Sequence, residues 1–237
     1  MGHWTFNSTN AGQFFDSSGF ANTTATATAI TNGVIGAAMN NAGSAAVTVS
    51  SASGTSLAFA KSNFTVSAWC YYNGNSSSYW CIIQNGAAGY TFCVDAINGR
   101  MIFGQSGNLN FTATTNVLSA GIYMLTGRVS NGTNYSIFVN GVTNNSANVT
   151  SIPTSGNTLY LGVSSFGADV WRSWIDDVRI YNRALSAEEI RQMVYTNANG
   201  AFPRLAYPTG KPMTDQDCAL AYSNLNSTNY LAWKGWK

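Results

Sequence analysis

The stretch that decides the reading of this chain is WIDDVRIYNRALSAEEI, residues 174–190. Its first eight residues read as a strand with two adjacent acids inside it, and the remainder opens a helix. Ser186 and Glu189 form the S-x-x-E pattern, in which the serine hydroxyl caps the Glu189 amide and the carboxylate reaches back to the serine amide. Glu188 and Glu189 also sit in the electropositive first turn. Ile190, Met193 and Val194 then recur at helical spacing, one apolar stripe to lay against a sheet. Nine of the twenty charged residues (11 Lys and Arg, 9 Asp and Glu) fall between Asp169 and Arg191, and those on the helix follow this grammar. On an extended strand Trp174, Asp176, Val178 and Ile180 share one face, and Ile175, Asp177, Arg179 and Tyr181 the other. Val178 and Ile180 mark the first face as the buried one. Asp176 is therefore expected to point inward, where an unpaired carboxylate needs a cation or several donors.

Upstream of this stretch the chain is a succession of short alternating runs bounded by Gly, Asn and Ser. NFTVSAWCYY (residues 63–72) is a strand; residues 79–104 read as three strands joined at Asn85-Gly86 and Asn98-Gly99. Residues 121–142 form a hairpin around Asn131-Gly132 and a second turn at Asn140-Gly141. Asn-Gly between alternating runs signals a hairpin because both residues tolerate positive φ. A dozen or so short strands followed by one helix point to an all-β fold, a two-sheet antiparallel jelly-roll sandwich with one short C-terminal helix. From Asn199 to Lys237 three of the four prolines gather and strand periodicity stops. The chain thus divides into a jelly roll over 1–198 and an extended C-terminal arm over 199–237. In the arm, MTDQDCALAY suits a short helix, and Tyr230, Trp233 and Trp236 suit either covering a sheet edge or docking on a partner.

Composition excludes several classes. The 13% aromatic content argues for a folded core, and the 8% charged content leaves a neutral skin of Asn, Ser and Thr. A net charge of +2 without a basic cluster excludes a phosphate-backbone binder, so no nucleic acid is expected. No apolar run is long enough for membrane insertion. The opening MGHWTFNSTN shows no signal peptide, and the expected location is extracellular or on a virion surface. The four cysteines, Cys70, Cys81, Cys93 and Cys218, lie too far apart for CxxC metal chemistry. In apolar runs Cys70, Cys81 and Cys93 read as buried thiols. A disulfide stays open, with three possible pairings.

The segment quoted first closely resembles the closing signature of laminin-G-like domains of the concanavalin A-like lectin/glucanase superfamily. HWTFN, FFDSSG, GVIGAAMN, AAVTVS and NFTVSAW agree with that family in order, and the match spans about residues 3 to 196. The resemblance implies a jelly roll whose first and last strands are neighbours. It also implies structural calcium held near the D-x-S-G turn and the late strand. The matching positions here are Asp16 and Asp176, with carbonyls near Gly19 and Asn22 completing a shell of six to eight oxygens. The competing reading has Asp16 bonding its own turn and Asp176 bonded to backbone amides, Arg172 or Arg179.

The glucanase relatives place their carboxylates on one strand as E-x-D-x-x-E, a pattern absent here. Glu188 and Glu189, the only glutamates, are adjacent on a helix start, Asp95 stands alone, and His3 is the only histidine. Retaining hydrolysis needs two carboxyl groups about 5–5.5 Å apart, so the chain is expected not to be an enzyme. Two non-catalytic readings follow. One is a subunit on the outside of a particle, a bacterial virus capsid decoration or fibre protein, with other protein subunits or further copies of itself as partners. The other is a secreted or cell-surface carbohydrate-binding or adhesion domain. Its expected glycan patch is Tyr72, Tyr79, Trp80 and Trp171, aromatics interleaved with Asn and Ser.

Overall fold

The computed structural model describes residues 1–199 except 8, 11, 21, 25–29, 42–46, 51–56, 58, 60–62, 75–78, 96–97, 106–110 and 150–157. The arm beyond Asn199, with Tyr230, Trp233, Trp236, Cys218 and the MTDQDCALAY segment, lies outside the described residues. The early strands are β1 (Gly2–Trp4), β2 (Thr9–Asn10), β3 (Gln13–Phe14), β4 (Thr23–Thr24), β5 (Ile30–Asn32), β6 (Ala37–Asn40) and β7 (Val47–Ser50). The long central strands are β8 (Phe64–Tyr72), β9 (Trp80–Asn85), β10 (Tyr90–Asp95), β11 (Arg100–Gln105), β12 (Phe111–Ala113) and β13 (Gly121–Ser130). Then come β14 (Asn134–Val139), β15 (Val142–Asn148), β16 (Thr158–Leu161), β17 (Trp174–Tyr181) and the helix α1 (Ala187–Asn199).

Two antiparallel sheets result. One runs β15-β14-β13-β8-β17-β6-β5 with β1 added beside β17; the other runs β12-β11-β10-β9-β16-β7-β4. The expected jelly-roll class is the observed one. The opening and closing strands are neighbours, with Trp4 directly opposite Val178. The Asn-Gly turns close their hairpins as expected. Asn140 and Gly141 both take positive φ, 51° and 79°, the left-handed pair that a two-residue hairpin turn requires.

The inter-sheet core is aromatic. Phe64, Tyr90, Phe92, Phe103 and Tyr135 interlock between the sheets, the Phe92 and Phe103 centroids 5.5 Å apart and edge-on. A second apolar cluster lies on the outer face of the larger sheet. There Ile190, Met193 and Val194 of α1 join Trp69, Met124, Phe138 and Trp174. Each such side chain fully buried is worth about 1.5–3 kcal/mol, which holds α1 down. Its cap forms as read: Glu189 N–H donates to Ser186 Oγ at 3.1 Å, and Ser186 N–H donates to Glu189 Oε2 at 2.8 Å.

The closing strand departs from simple alternation. Its pairing with β8 slips between Asp176 and Arg179, and Asp177 sits at φ 47°. This is a β-bulge, and it rotates everything downstream of it. Ile175, Val178 and Ile180 consequently face the inter-sheet core, whereas Trp174 belongs to the outer cluster. The expected single face of Trp174, Asp176, Val178 and Ile180 is therefore corrected. The bulge breaks it at Asp177, one of the few residue types that enters the left-handed region at low cost.

The cysteines also differ from the thiol reading. Cys81 and Cys93, direct partners across β9 and β10, form a disulfide; Cys70 stays free and buried. Two run-internal cysteines behave as hydrophobes in sequence until strand register sets them opposite one another.

Candidate functional site

The bulge sits where β17 changes neighbours. Its first residues pair with β6 (Ile175 opposite Met39) and its later ones with β1. The β5–β6 turn fills the gap between those partners. Asp176 is wholly buried there, and its Oδ2 accepts a 2.8 Å hydrogen bond from the Ile35 amide. A Cβ on Gly33 would lie 2.4 Å from that oxygen, so only glycine lets the turn close over the carboxylate. Asp176 Oδ1 has no hydrogen-bond partner. Burial pushes the Asp176 carboxyl up to about 8; the amide of Ile35 pulls it down less than burial raises it, and the charge of Asp177 adds to the rise.

Asp177 is treated differently. It accepts from His3 Nε2 at 2.7 Å and pairs with Arg179 Nε at 3.0 Å. Thus β1 is fastened to the bulge by a side chain as well as by its backbone ladder. The main chain of β1 is fastened on its other side by the D-S-S-G turn, where His3 N–H donates to Asp16 Oδ1 at 2.8 Å and Ser17 N–H to His3 O at 2.7 Å. Arg179, named beforehand as a partner for Asp176, serves Asp177.

The proposed calcium set comes apart on this geometry. Asp16 already accepts from the amides of His3, Ser18 and Asn22 and from the Asn22 side chain. Burial raises the Asp16 carboxyl, but those hydrogen bonds outweigh it and hold the group below its ordinary value. Asn22 presents donors, its Nδ2 bonding Asp16 and the Met1 carbonyl. Gly19 is exposed at the turn's tip, while Asp176 is enclosed by the turn at Gly33–Ile35. Among the described residues no three His, Cys, Asp or Glu side chains are grouped to hold a metal. The four residues Asp16, Gly19, Asn22 and Asp176 do not fit a shared ion. Asp16 and Asn22 form a donor-satisfied turn, which is the Asx reading.

Of the expected glycan-patch residues, three are buried and one is exposed. Tyr72, Trp80 and Trp171 do meet, with centroids 5.9–6.2 Å apart, but all three are buried, at 1%, 3% and 0% exposure. Their faces are spent on one another under the sandwich's loop end. Tyr79, by contrast, is 42% exposed. Beside it lies a loop that the sequence did not single out. Gly162 and Trp171 close it, Trp171 N–H donating to Gly162 O at 2.8 Å, and Cys81 bridges Val170 in parallel. Ser165 N–H donates to Gln84 Oε1 at 2.8 Å, pinning the loop to β9. At its tip Phe166 is 69% exposed, the largest value among the described large apolar side chains. Trp80 and Trp171 both point into the core. Cys81 instead belongs to the small buried cluster with Cys93 and Ile102, and Arg172, next after Trp171, is exposed. The loops around it are tied in turn: Leu118 N–H donates to Gly99 O at 3.1 Å, and Asn41 N–H to Ser173 O at 3.1 Å. Exposed rings thus stand among hydrogen-bonded loop segments at this end, as on the recognition loops of sandwiches.

A laminin-G-like family model matches residues 41–191. The chain belongs to the concanavalin A-like lectin/glucanases superfamily. No curated protein matches its sequence. Among solved structures it is similar to the binding domain of paraclostridial mosquitocidal protein 1, with TM-score 0.66, 16% identity, 82% of this chain covered and 51% of that one. It is also similar to the botulinum neurotoxin serotype D ligand-binding domain in complex with N-acetylneuraminic acid, with TM-score 0.63, 16% identity, and 83% and 50% covered. A third is the binding domain of botulinum neurotoxin DC in complex with rat synaptotagmin II, with TM-score 0.63, 14% identity, and 83% and 51% covered. At these identities the likeness is one of fold. This superfamily member spans about half the length of those domains, so their ligands do not say which half holds them. No helix among the described residues is long and apolar enough to cross a membrane.

Proposed function

We propose that the chain is a non-catalytic recognition module that binds glycans at the loop end of its sandwich. The observation that carries this reading is the exposure of two large rings, Tyr79 and Phe166, on the segments that the Cys81–Val170 bridge joins. A sugar's apolar face stacks on such rings while its hydroxyls bond neighbouring peptide and amide groups. Similar folds in clostridial toxin binding domains, one in complex with N-acetylneuraminic acid and one whose cell entry depends on two ganglioside molecules, support the class of ligand. Several of the described acids serve the fold: Asp176 is enclosed, Asp177 is ion-paired with Arg179, and Glu189 and Glu188 of α1 pair with Arg183 and Arg191. The test is a glycan array probed with the full chain and with Tyr79→Ala/Phe166→Ala. Discrete hits that the double variant loses are expected. Hits that survive it would move the site elsewhere, and an empty array would end the reading.

A second setting is compatible with the same site. The 8% charged content leaves a skin suited to tight packing by neutral hydrogen bonds, as on the outside of a bacterial virus particle. In that setting the arm 199–237 attaches the module and the loop end faces outward. Removing 199–237 should then abolish attachment to the particle while leaving glycan hits in place. Attachment that persists without the arm would count against it.

A further inference from the structure

The buried carboxyl of Asp176 lies where a firmly held strand meets a lightly held turn. β17 pairs on one side with β8, where Asp176 stands opposite Trp69, and on the other with β6 and then β1. The β5–β6 turn that closes over the carboxyl has less to hold it, because β5 is the last strand of its sheet. Gly33 N–H donates to Gly36 O at 2.8 Å within the turn, and Ala37 N–H to Asn7 Oδ1 at 2.7 Å beside it. Val34 and Ile35 of the same turn belong to the outer apolar cluster with Trp69, Trp174, Ile190 and Met193. One short turn thus encloses an acid and also forms part of the seat of α1.

We infer that Asp176 is a proton-operated latch: with its proton the carboxyl lies closed under the β5–β6 turn, and without it the turn swings out and unseats α1. An enclosed carboxylate with one partnerless oxygen is costly until water reaches it, and moving the end-strand turn exposes it without breaking the ladders of β17. Burial raises the group to about 8, against the amides of Ile35, Asp177 and Val34, which favour the anion. Under a released turn it returns towards its ordinary 3.8. Release therefore gives up a proton, so the closed form loses ground as pH rises between those two values and levels off above the higher one. The neighbouring charges are otherwise engaged. Asp177 pairs with Arg179 and with His3 of β1, and its charge adds to the rise at Asp176. β8 brings Tyr71 and, opposite Ile175, the Cys70 thiol, which burial pushes well above its ordinary value. Residues 30–41 carry no titratable side chain. Tyr181 bonds Met193 Sδ, and Glu188 and Glu189 of α1 pair with Arg191 and Arg183. Because α1 leads into the arm 199–237, unseating it loosens the arm at its base. The latch is independent of where glycans bind.

The experiment is hydrogen exchange of the full chain, read by mass spectrometry between pH about 5 and 9 as protection relative to free-peptide rates. Segments 30–40 and 186–194 are expected to lose protection together, by up to about tenfold per pH unit, and to level off above pH about 8. They should also open well ahead of residues 90–105 in the other sheet. Asp176→Asn should flatten the slope in both segments. His3→Gln should keep it, which separates the latch from the adjoining ion pair. Gly33→Ala, whose Cβ would lie 2.4 Å from Asp176 Oδ2, should leave both segments open already at pH about 5, and it tests the coupling even where Asp176→Asn does not fold. Three segments exchanging at one common rate would tie the proton to global unfolding alone and overturn the inference. So would a slope that survives Asp176→Asn, or a turn that opens while α1 keeps its protection.

Discussion

Replacing Asp176 by asparagine should make this protein more stable at alkaline pH. The carboxyl is fully buried, one oxygen bonded to the Ile35 amide and the other without a partner. Its titration point is raised from 3.8 to about 8 by burial. The sign follows from linkage. Above pH about 4 the unfolded chain has lost this proton, while the folded chain keeps it until pH about 8, so folding takes up a proton across that window. The stability this group contributes is complete below its unfolded value and drains away as pH rises, by up to about 1.4 kcal/mol per pH unit. Across the window from 3.8 to about 8, the ceiling is therefore about 6 kcal/mol. Relaxation of the β5–β6 turn and entry of water would bring the measured value to a few kcal/mol. The substituted amide would keep an acceptor for the Ile35 N–H and cannot ionise, so the variant lacks the slope. Urea unfolding of both proteins at half-unit steps between pH about 5 and 9 measures this, and their difference cancels every titration the two share. The variant should gain on the parent steadily and lead by about 2 kcal/mol or more at the top of the range. Parallel stability curves would refute the account of Asp176 as a carboxyl kept neutral by enclosure.

Gly127→Ala should destabilise by about 1–3 kcal/mol, because a Cβ there would lie 2.4 Å from the Phe103 ring across the sandwich; chemical denaturation reads it, and a neutral result would mean that the ring has room to move. Ser186→Ala should cost about 1 kcal/mol and fray the start of α1, since Ser186 Oγ caps the Glu189 amide at 3.1 Å; amide exchange at Glu189 checks it. Calcium at millimolar levels should leave the melting temperature unchanged, as the oxygens of Asp16 are taken by N–H donors. A calcium-dependent rise, or bound metal in native mass spectrometry, would contradict that. Reducing the Cys81–Cys93 bridge, which closes a separation of 12 residues, should cost about 2–4 kcal/mol by loosening the unfolded chain's constraint, read as a fall in urea midpoint.

What the sequence determined by itself was everything whose cause is local. Asn140-Gly141 turns because those two residues tolerate positive φ, Ser186 and Glu189 cap a helix because they stand three apart, and alternation in NFTVSAWCYY makes a strand. The family signature added that Trp4 and Val178 would be neighbours, and they are. Tertiary structure alone decided the rest. One residue of slip at Asp177 reversed the facing of β17, which placed Asp176 under the β5–β6 turn and not in the core. Register set Cys81 opposite Cys93 and joined them. Tyr72, Trp80 and Trp171 read as freely in sequence as Tyr79 and Phe166 do, yet packing consumed the first three rings and left the other two in solvent. Burial and partnership are properties of pairs far apart along the chain. A linear pattern carries the preference of each residue, and the closed sandwich settles which preferences are met.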